Sequence, residues 1–148
     1  MKCAPATSTL RLVLLGLLMA ASAVGCANPD PDPDPAVADG YLFGFTGNPD
    51  FDFVAVTSDS LVVALLEVQL ALPEDERRMH INGPIGRGDG EHNLEWDWHF
   101  LPGQWALVEI SIELCDGTPD FVNDNIAYFI DTVGRFCPWG AHVLKKLD

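Results

Sequence analysis

Apolar and polar positions alternate in three different ways along the chain. Leu12–Ala21 is an almost unbroken greasy run. Residues 27–39 carry no such run: Pro29, Pro31, Pro33 and Pro35 alternate with Asp30, Asp32 and Asp34. From Gly40 onward the pattern shifts between period two and helical spacing, which marks a folded domain. Tyr41–Thr46 reads as a short aromatic strand and Phe51–Thr57 as a second, with Gly47-Asn48-Pro49-Asp50 as the turn between them. Ser58-Asp59-Ser60 then opens a helix, supplying a capping hydroxyl and an acid in the first turn. That helix is expected from Asp59 to about Leu72, where Pro73 stops it. Only Glu67 and Gln69 interrupt its apolar run, so it is expected to be largely buried. The Val62-Val63 pair leaves a strand as the alternative, and length favours the helix.

Pro73–Arg78 is a charged surface turn, and Met79–Ile85 a third strand bent at Gly83-Pro84. Gly86–Gly90 is a glycine loop; its Arg87-Gly88-Asp89 tripeptide is too short to signify adhesion, and no strand-turn-helix frame supports nucleotide binding. The next two segments alternate most clearly. Leu94, Trp96, Trp98 and Phe100 share one face of a strand over residues 93–100, while Ala106, Val108, Ile110, Ile112 and Leu114 share one face of a strand over residues 106–114. A turn over Leu101–Trp105 would pair Phe100 with Ala106, Trp98 with Val108 and Trp96 with Ile110, keeping one apolar face.

A second helix has a strong start: Thr118 as N-cap, Pro119 at the first position and Asp120 at the positive end. Val122, Ile126, Phe129, Ile130 and Val133 recur at helical spacing, and Gly134 is placed to end it. Ala141–Leu147 makes a last strand. The expected fold is α+β, a mostly antiparallel sheet in the order β-β-α-β-β-β-α-β with two helices and one disulfide.

Charge and composition add an address. The 148-residue chain is long enough for one domain, with a formal net charge of −14. All 22 acids lie beyond residue 25, so the acidic part follows the apolar run. Such a surface repels nucleic acid and tolerates cations and basic partners. Lys2 and Arg11 supply a positive n-region ahead of a run shorter than the roughly 20 apolar residues a membrane span needs, so residues 1–25 read as a signal peptide. Ala23-Val24-Gly25-Cys26 resembles the lipobox of bacterial lipoproteins, which implies a lipid-anchored Cys26 as the mature N-terminus. Ala23 stands where Leu is commonest. Ordinary cleavage after Ala21, Ala23 or Ala27, giving a secreted protein, is the alternative. Residues 26–39 then form a stiff acidic tether, reaching roughly 40 Å at about 3.1 Å per residue. The address implied is the bacterial cell envelope, on the outer membrane if the cell has one. With Cys3 removed and Cys26 acylated, Cys115 and Cys137 remain as an even pair in an exported domain, most simply one disulfide. A Cys/His metal site is the rival, though neither cysteine sits in a CxxC.

The expected register opposes Asp97 to Glu109, Glu95 to Ser111 and Asn93 to Glu113. Like charges directly opposed destabilise a ladder, so solvent, a base or a cation must offset them. Three readings follow: a solvated outer face; a calcium site built from Asp97, Glu109 and Glu113 with His99 as a softer ligand; or paired carboxylates working as acid and base in a small hydrolase.

Several pieces then occur in order: a capped helix start at Thr57-Ser58-Asp59; His80 with Gly83 and Ile85; Asn93, Trp96, Trp98-His99 and Pro102; Glu113-Leu114-Cys115-Asp116; and Cys137-Pro138-Trp139. Together, over roughly residues 40–147, they resemble the N-terminal domain of a slime-mould calmodulin-binding protein and its bacterial relatives. The Gly86–Gly90 loop and Arg135-Phe136 depart from that pattern, which bears on loop-borne binding more than on the fold. Calmodulin association is not expected to transfer, because a calmodulin target is a basic amphipathic helix and the helix over residues 118–133 is acidic. The resemblance draws attention to His80 and His99, polar groups placed among aromatics; with Trp96, Asp97, Trp98, Glu109 and Glu113 they make the binding candidates. Either histidine has a second use, as a structural imidazole bonded to a backbone carbonyl.

No serine, cysteine or lysine nucleophile stands in a recognisable frame. The leading function is therefore a lipid-anchored, non-catalytic binding or interaction domain of the envelope, with an unknown protein or small ligand as partner and no cofactor beyond the calcium just weighed. An exported inhibitor or recognition module working through Gly86–Gly90 or Phe136–Trp139 is one alternative. A hydrolase using Asp97, Glu109 and His99 is the other. An exposed aromatic at Trp105 or Trp139 would favour a protein or carbohydrate partner.

Overall fold

The computed structural model describes residues 38–148. The signal segment, Cys26 and nearly all of the tether lie outside the described residues. Strand β1 (Asp39–Phe45) turns at Thr46-Gly47 into β2 (Asn48–Thr57), and helix α1 (Ser60–Leu70) follows. Two short strands, β3 (His80–Asn82) and β4 (Ile85–Arg87), precede β5 (Trp98–Phe100) and β6 (Ala106–Val108). A broken helical stretch comprises α2 (Pro119–Asp124), α3 (Ile126–Tyr128) and a π-helical turn over Phe129–Val133. Strand β7 (Ala141–Lys146) ends the fold. All four strand pairs are antiparallel, in three sheets ordered β2-β1-β7, β3-β6 and β4-β5. The α+β class, the antiparallel pairing and the Cys115–Cys137 disulfide are as expected.

Aromatic side chains make the core. Phe53 stacks on Phe43, with ring centroids 5.6 Å apart, and Phe136 meets Trp98 edge-on at 5.2 Å. Phe100 and Phe129 close on Phe136 from two further sides. Such pairs add about 0.5–1.5 kcal/mol each beyond the area they bury. The buried indoles do not leave their N–H groups idle. Trp98 donates to the Pro119 carbonyl and Trp105 to that of Val56, so one ring also ties β5 to the later helical stretch and the other ties the start of β6 to β2.

Four expectations change. First, the long hairpin over residues 93–114 does not form. Strand β5 pairs with β4, placing Phe100 opposite Ile85, and β6 pairs with β3, placing Val108 opposite His80. Residues 89–96 fold instead as turns: the Asp89 carboxylate accepts from the Glu91 N–H at 2.9 Å, and the Asp89 carbonyl from the Asn93 N–H at 2.9 Å. The inward residue of β6 is Leu107, whereas Ile110, Ile112 and Leu114 are exposed. Asp97 and Glu109 therefore never oppose one another, and the acidic ladder does not arise. Second, the third strand is divided. Gly83-Pro84 ends β3, and Gly83 exchanges two backbone hydrogen bonds with Phe136. A Cβ on Gly83 would lie 2.4 Å from that of Trp105, so only glycine admits this approach.

Third, α1 is buried on one side only. Val62, Leu66 and Gln69 face inward, whereas Leu61, Leu65 and Val68 are exposed. Its cap is the Asp59 carboxylate, which accepts from the Leu61 N–H at 2.8 Å, and not the Ser58 hydroxyl. Fourth, the second helix is interrupted at Asn125, whose side-chain amide donates to the Phe121 carbonyl at 2.8 Å and whose φ of −128° leaves the helical range. Thr118 makes no capping bond. Its hydroxyl bonds the Asp120 carboxylate and holds that group below its usual range. Gly134, at φ 75°, ends the stretch as expected. The disulfide joins the turn before this stretch to the segment after it, with Cα atoms 5.1 Å apart.

Candidate functional site

The site begins with a buried glutamine. Gln69 lies on the inward face of α1, and its Oε1 accepts from the N–H groups of both Arg78 and Met79, each at 3.2 Å. Gln69 thus anchors the chain just ahead of β3, and the β3–β6 ladder stops at His80 and Val108. The two segments diverge and leave a wedge-shaped pocket lined by Arg78, His80, Glu109, Ile110, Ser111 and Trp139. Its volume of about 330 Å³ suits a small ligand or a few side chains.

A chain of polar groups crosses the pocket. The Trp139 indole N–H lies 2.6 Å from Ser111 Oγ, and Ser111 Oγ lies 2.7 Å from His80 Nε2. Trp139 can only donate, which leaves the serine proton free to point at an imidazole protonated on Nδ1. Burial pushes the His80 pKa below its ordinary value, and the nearby Asp116 charge pulls it part of the way back. The Asp116 carboxylate also accepts from the Trp139 backbone N–H at 2.9 Å. The indole is thus held at both its ring nitrogen and its backbone, yet it is 47% exposed. An aromatic ring fixed this way forms a ready-made wall for a ligand. Arg78 adds a cation that makes no ion pair among the described residues, and Glu109 adds an anion.

Of the residues singled out from sequence, the pocket unites His80, Glu109 and Trp139. Glu113 lines a separate shallow depression of about 510 Å³ with Leu114, Asp116, Phe121, Tyr128 and Phe129. Trp98 is sealed in the core and cannot meet a ligand. Trp96 is half-buried and donates its indole N–H to the Asp52 carbonyl at 2.8 Å. Asp97 is exposed, with its backbone N–H on Asn123. His99 sits on β5 and its Nδ1 donates to the Gly88 carbonyl at 2.8 Å, the structural use weighed above. His92 does the same toward Gly90, packing against His99 with ring centroids 5.6 Å apart. Asp97, Glu109 and His99 therefore do not converge as acid–base chemistry would need. Among the described residues, no group of three or more His, Cys, Asp or Glu side chains is placed to hold a metal ion. None of the described helices is long and apolar enough to cross a membrane. Trp105, the other aromatic in question, is buried, which leaves Trp139 as the exposed one of the two.

Ser111 and Arg78 escaped sequence reasoning. The signal for Ser111 was its place between Glu109 and Glu113, a small hydroxyl in an otherwise acidic alternation. Arg78 gave none, because its position depends on the distant Gln69.

These features define a small, disulfide-braced α+β domain with a polar, aromatic-walled pocket. Residues 40–148 match the family described as the BP-74 N-terminal domain, and the chain belongs to that family. Membership suggests a binding or interaction module. No curated protein and no solved structure matches the chain.

Proposed function

We propose that this chain is a lipid-anchored recognition domain of the bacterial cell envelope, which takes its partner at the pocket between Arg78, His80, Ser111 and Trp139. The observation that carries the reading is the Trp139 indole, fixed through Ser111 to His80 while nearly half its surface meets solvent. Large exposed aromatics are enriched where proteins bind partners, and immobilising one in advance reduces the entropy lost on binding. Cys26 supplies the anchor, the Pro-Asp run holds the domain off the bilayer, and the acidic surface turns nucleic acid away. The reading calls on no cofactor.

Two measurements test its two halves. Cys26→Ser should move the protein from the membrane to the soluble fraction; continued membrane association removes the anchor. On glycan and peptide arrays, the wild-type protein should retain ligands that Trp139→Ala loses. Identical array profiles for the two proteins would remove the pocket.

A further inference from the structure

Beyond β6 the chain bends at Glu109 and then runs through Ile110–Ile112, apolar and without a strand partner among the described residues. Ile110 and Ile112 are 86% and 60% exposed, and Leu114 is exposed after them. Ile112 keeps extended backbone angles, φ −85° and ψ 144°. Among the described residues, the backbone N–H and C=O groups of Ile110 and Ser111 meet no protein hydrogen-bond partner. The β3–β6 ladder stops at His80 and Val108, where Gln69 anchors the chain ahead of β3, and this edge is left open. Soluble proteins usually cover, charge or shorten such an edge, because it is a template for pairing. Here the edge borders both surface depressions. Glu109, Ile110 and Ser111 line one, and Glu113 and Leu114 line the other.

Resting on the reading that this face is the binding face, we propose that it receives an extended segment of a partner protein in which apolar residues alternate with Lys or Arg, added as a strand along Ile110–Ile112. Charge selects the basic partner. Glu109, Glu113 and Asp116 flank the edge against the single base Arg78, on a chain of formal charge −14. Alternation selects the side-chain order. On extended backbone Ile110 and Ile112 point to one face while Ser111, bonded to His80 and Trp139, points to the other, with Glu109 at the bend beside it. An added strand therefore lays its apolar residues beside the isoleucines and its cations beside the acids. Main-chain hydrogen bonds supply register, and the pocket beside Trp139 takes one side chain, the division of labour found in strand addition generally. A second copy of this chain fits less well, because its own edge repeats the same acids.

The test uses the full-length protein with its disulfide intact and a synthetic peptide of alternating Val and Lys, read by fluorescence anisotropy. Expected are saturable binding that weakens as salt is raised, loss of binding with Ile110→Glu, and loss with a peptide N-methylated at alternate residues. Ile110 is so exposed that its variant should fold, and the N-methylated peptide needs no variant at all. No binding, or binding indifferent to N-methylation, overturns strand addition. Equal binding of a Val-Glu peptide overturns the charge assignment. Concentration-dependent dimerisation in light scattering that Ile110→Glu abolishes would give the edge to a second copy and overturn the partner. The two readings separate through Trp139→Ala. If the peptide fails while array ligands still depend on Trp139, the strand inference falls and the pocket stands. If the peptide binds the wild type and Trp139→Ala equally well, strand addition stands and the pocket falls.

Discussion

Asn93 is a polar side chain sealed in an aromatic core, and both ends of its amide are used. Its Oδ1 accepts from the Val54 N–H at 2.9 Å, and its Nδ2 donates to the Trp98 carbonyl at 2.8 Å. One residue thereby fastens the turn-rich segment before β5 to the middle of β2. Removing it strands a buried donor and a buried acceptor, each costing about 1–3 kcal/mol. Asn93→Leu, which keeps the branched skeleton but neither bond, is expected to lower stability by about 2–4 kcal/mol in urea unfolding, inside the range set by those two groups. A loss under about 0.5 kcal/mol, the scatter of ordinary surface changes, would mean that the amide does not organise this segment. Sequence placed Asn93 on a polar strand face. Nothing in a period-two pattern distinguishes a solvated amide from one that closes a backbone gap far along the chain.

At the scale of elements, the outer parts of the chain were more legible than the middle. The first hairpin, the capped start of α1, the Pro119 helix start, the stop at Gly134 and the last strand each rest on local chemistry, and each is found. The middle depends on distant groups. Gln69 anchors the chain just ahead of β3, Asp89 curls the chain ahead of β5, and Phe136 holds Gly83. The alternation of residues 93–114 was real but was consumed differently. Trp98 and Phe100 went into the core, while Ile110 and Ile112 stayed outside it. For the same reason the site was half legible: His80, Glu109 and Trp139 were named, but not the wedge that joins them to Ser111. The disulfide belongs to this scale as well. It closes the 22-residue separation between Cys115 and Cys137, and the Cys137 N–H also donates to the Cys115 carbonyl at 2.8 Å. Its reduction should cost about 3 kcal/mol, the chain-entropy value for a loop of this size. The pocket wall should loosen with it, because Trp139 follows Cys137 by two residues. Trp139→Phe supplies the comparison that assigns the fluorescence change on reduction to that indole. An unchanged melting temperature after complete reduction would show that the helical stretch needs no staple.

For the whole molecule the acid limit of stability follows from its buried imidazoles. His80 and His92 both have pKa values lowered from the ordinary value of 6.5, chiefly by burial. Asp116 opposes the shift at His80. At His92 the Gly90 carbonyl and Asp89 oppose it, and His99 adds to it. The unfolded chain therefore binds protons that the native state resists. Stability from these groups is fully present above the unfolded value and is lost as pH falls through the lower folded values. Asp52 works in the opposite sense. Burial and then Glu74 raise its pKa, so its contribution is present below the carboxylate's unfolded value and lost as pH rises through the folded one. In the unfolded chain the imidazoles titrate from 6.5 and the carboxylate from 3.8, so the first protons taken up on unfolding between about pH 8 and about pH 5.5 go to the imidazoles, and melting there is expected to follow them. The melting temperature should fall across that range, His80→Asn and His92→Gln should each flatten part of the fall, and the double variant should flatten most of it. A wild-type protein equally stable at both ends, or a slope untouched by the double variant, would mean that these imidazoles take up protons in the native state as readily as in the unfolded chain. The proton would also reach the pocket: a protonated His80 donates from Nε2 to Ser111 Oγ instead of accepting, and the oxygen's second lone pair still takes the Trp139 N–H, so the hold on the indole should outlast the change of charge.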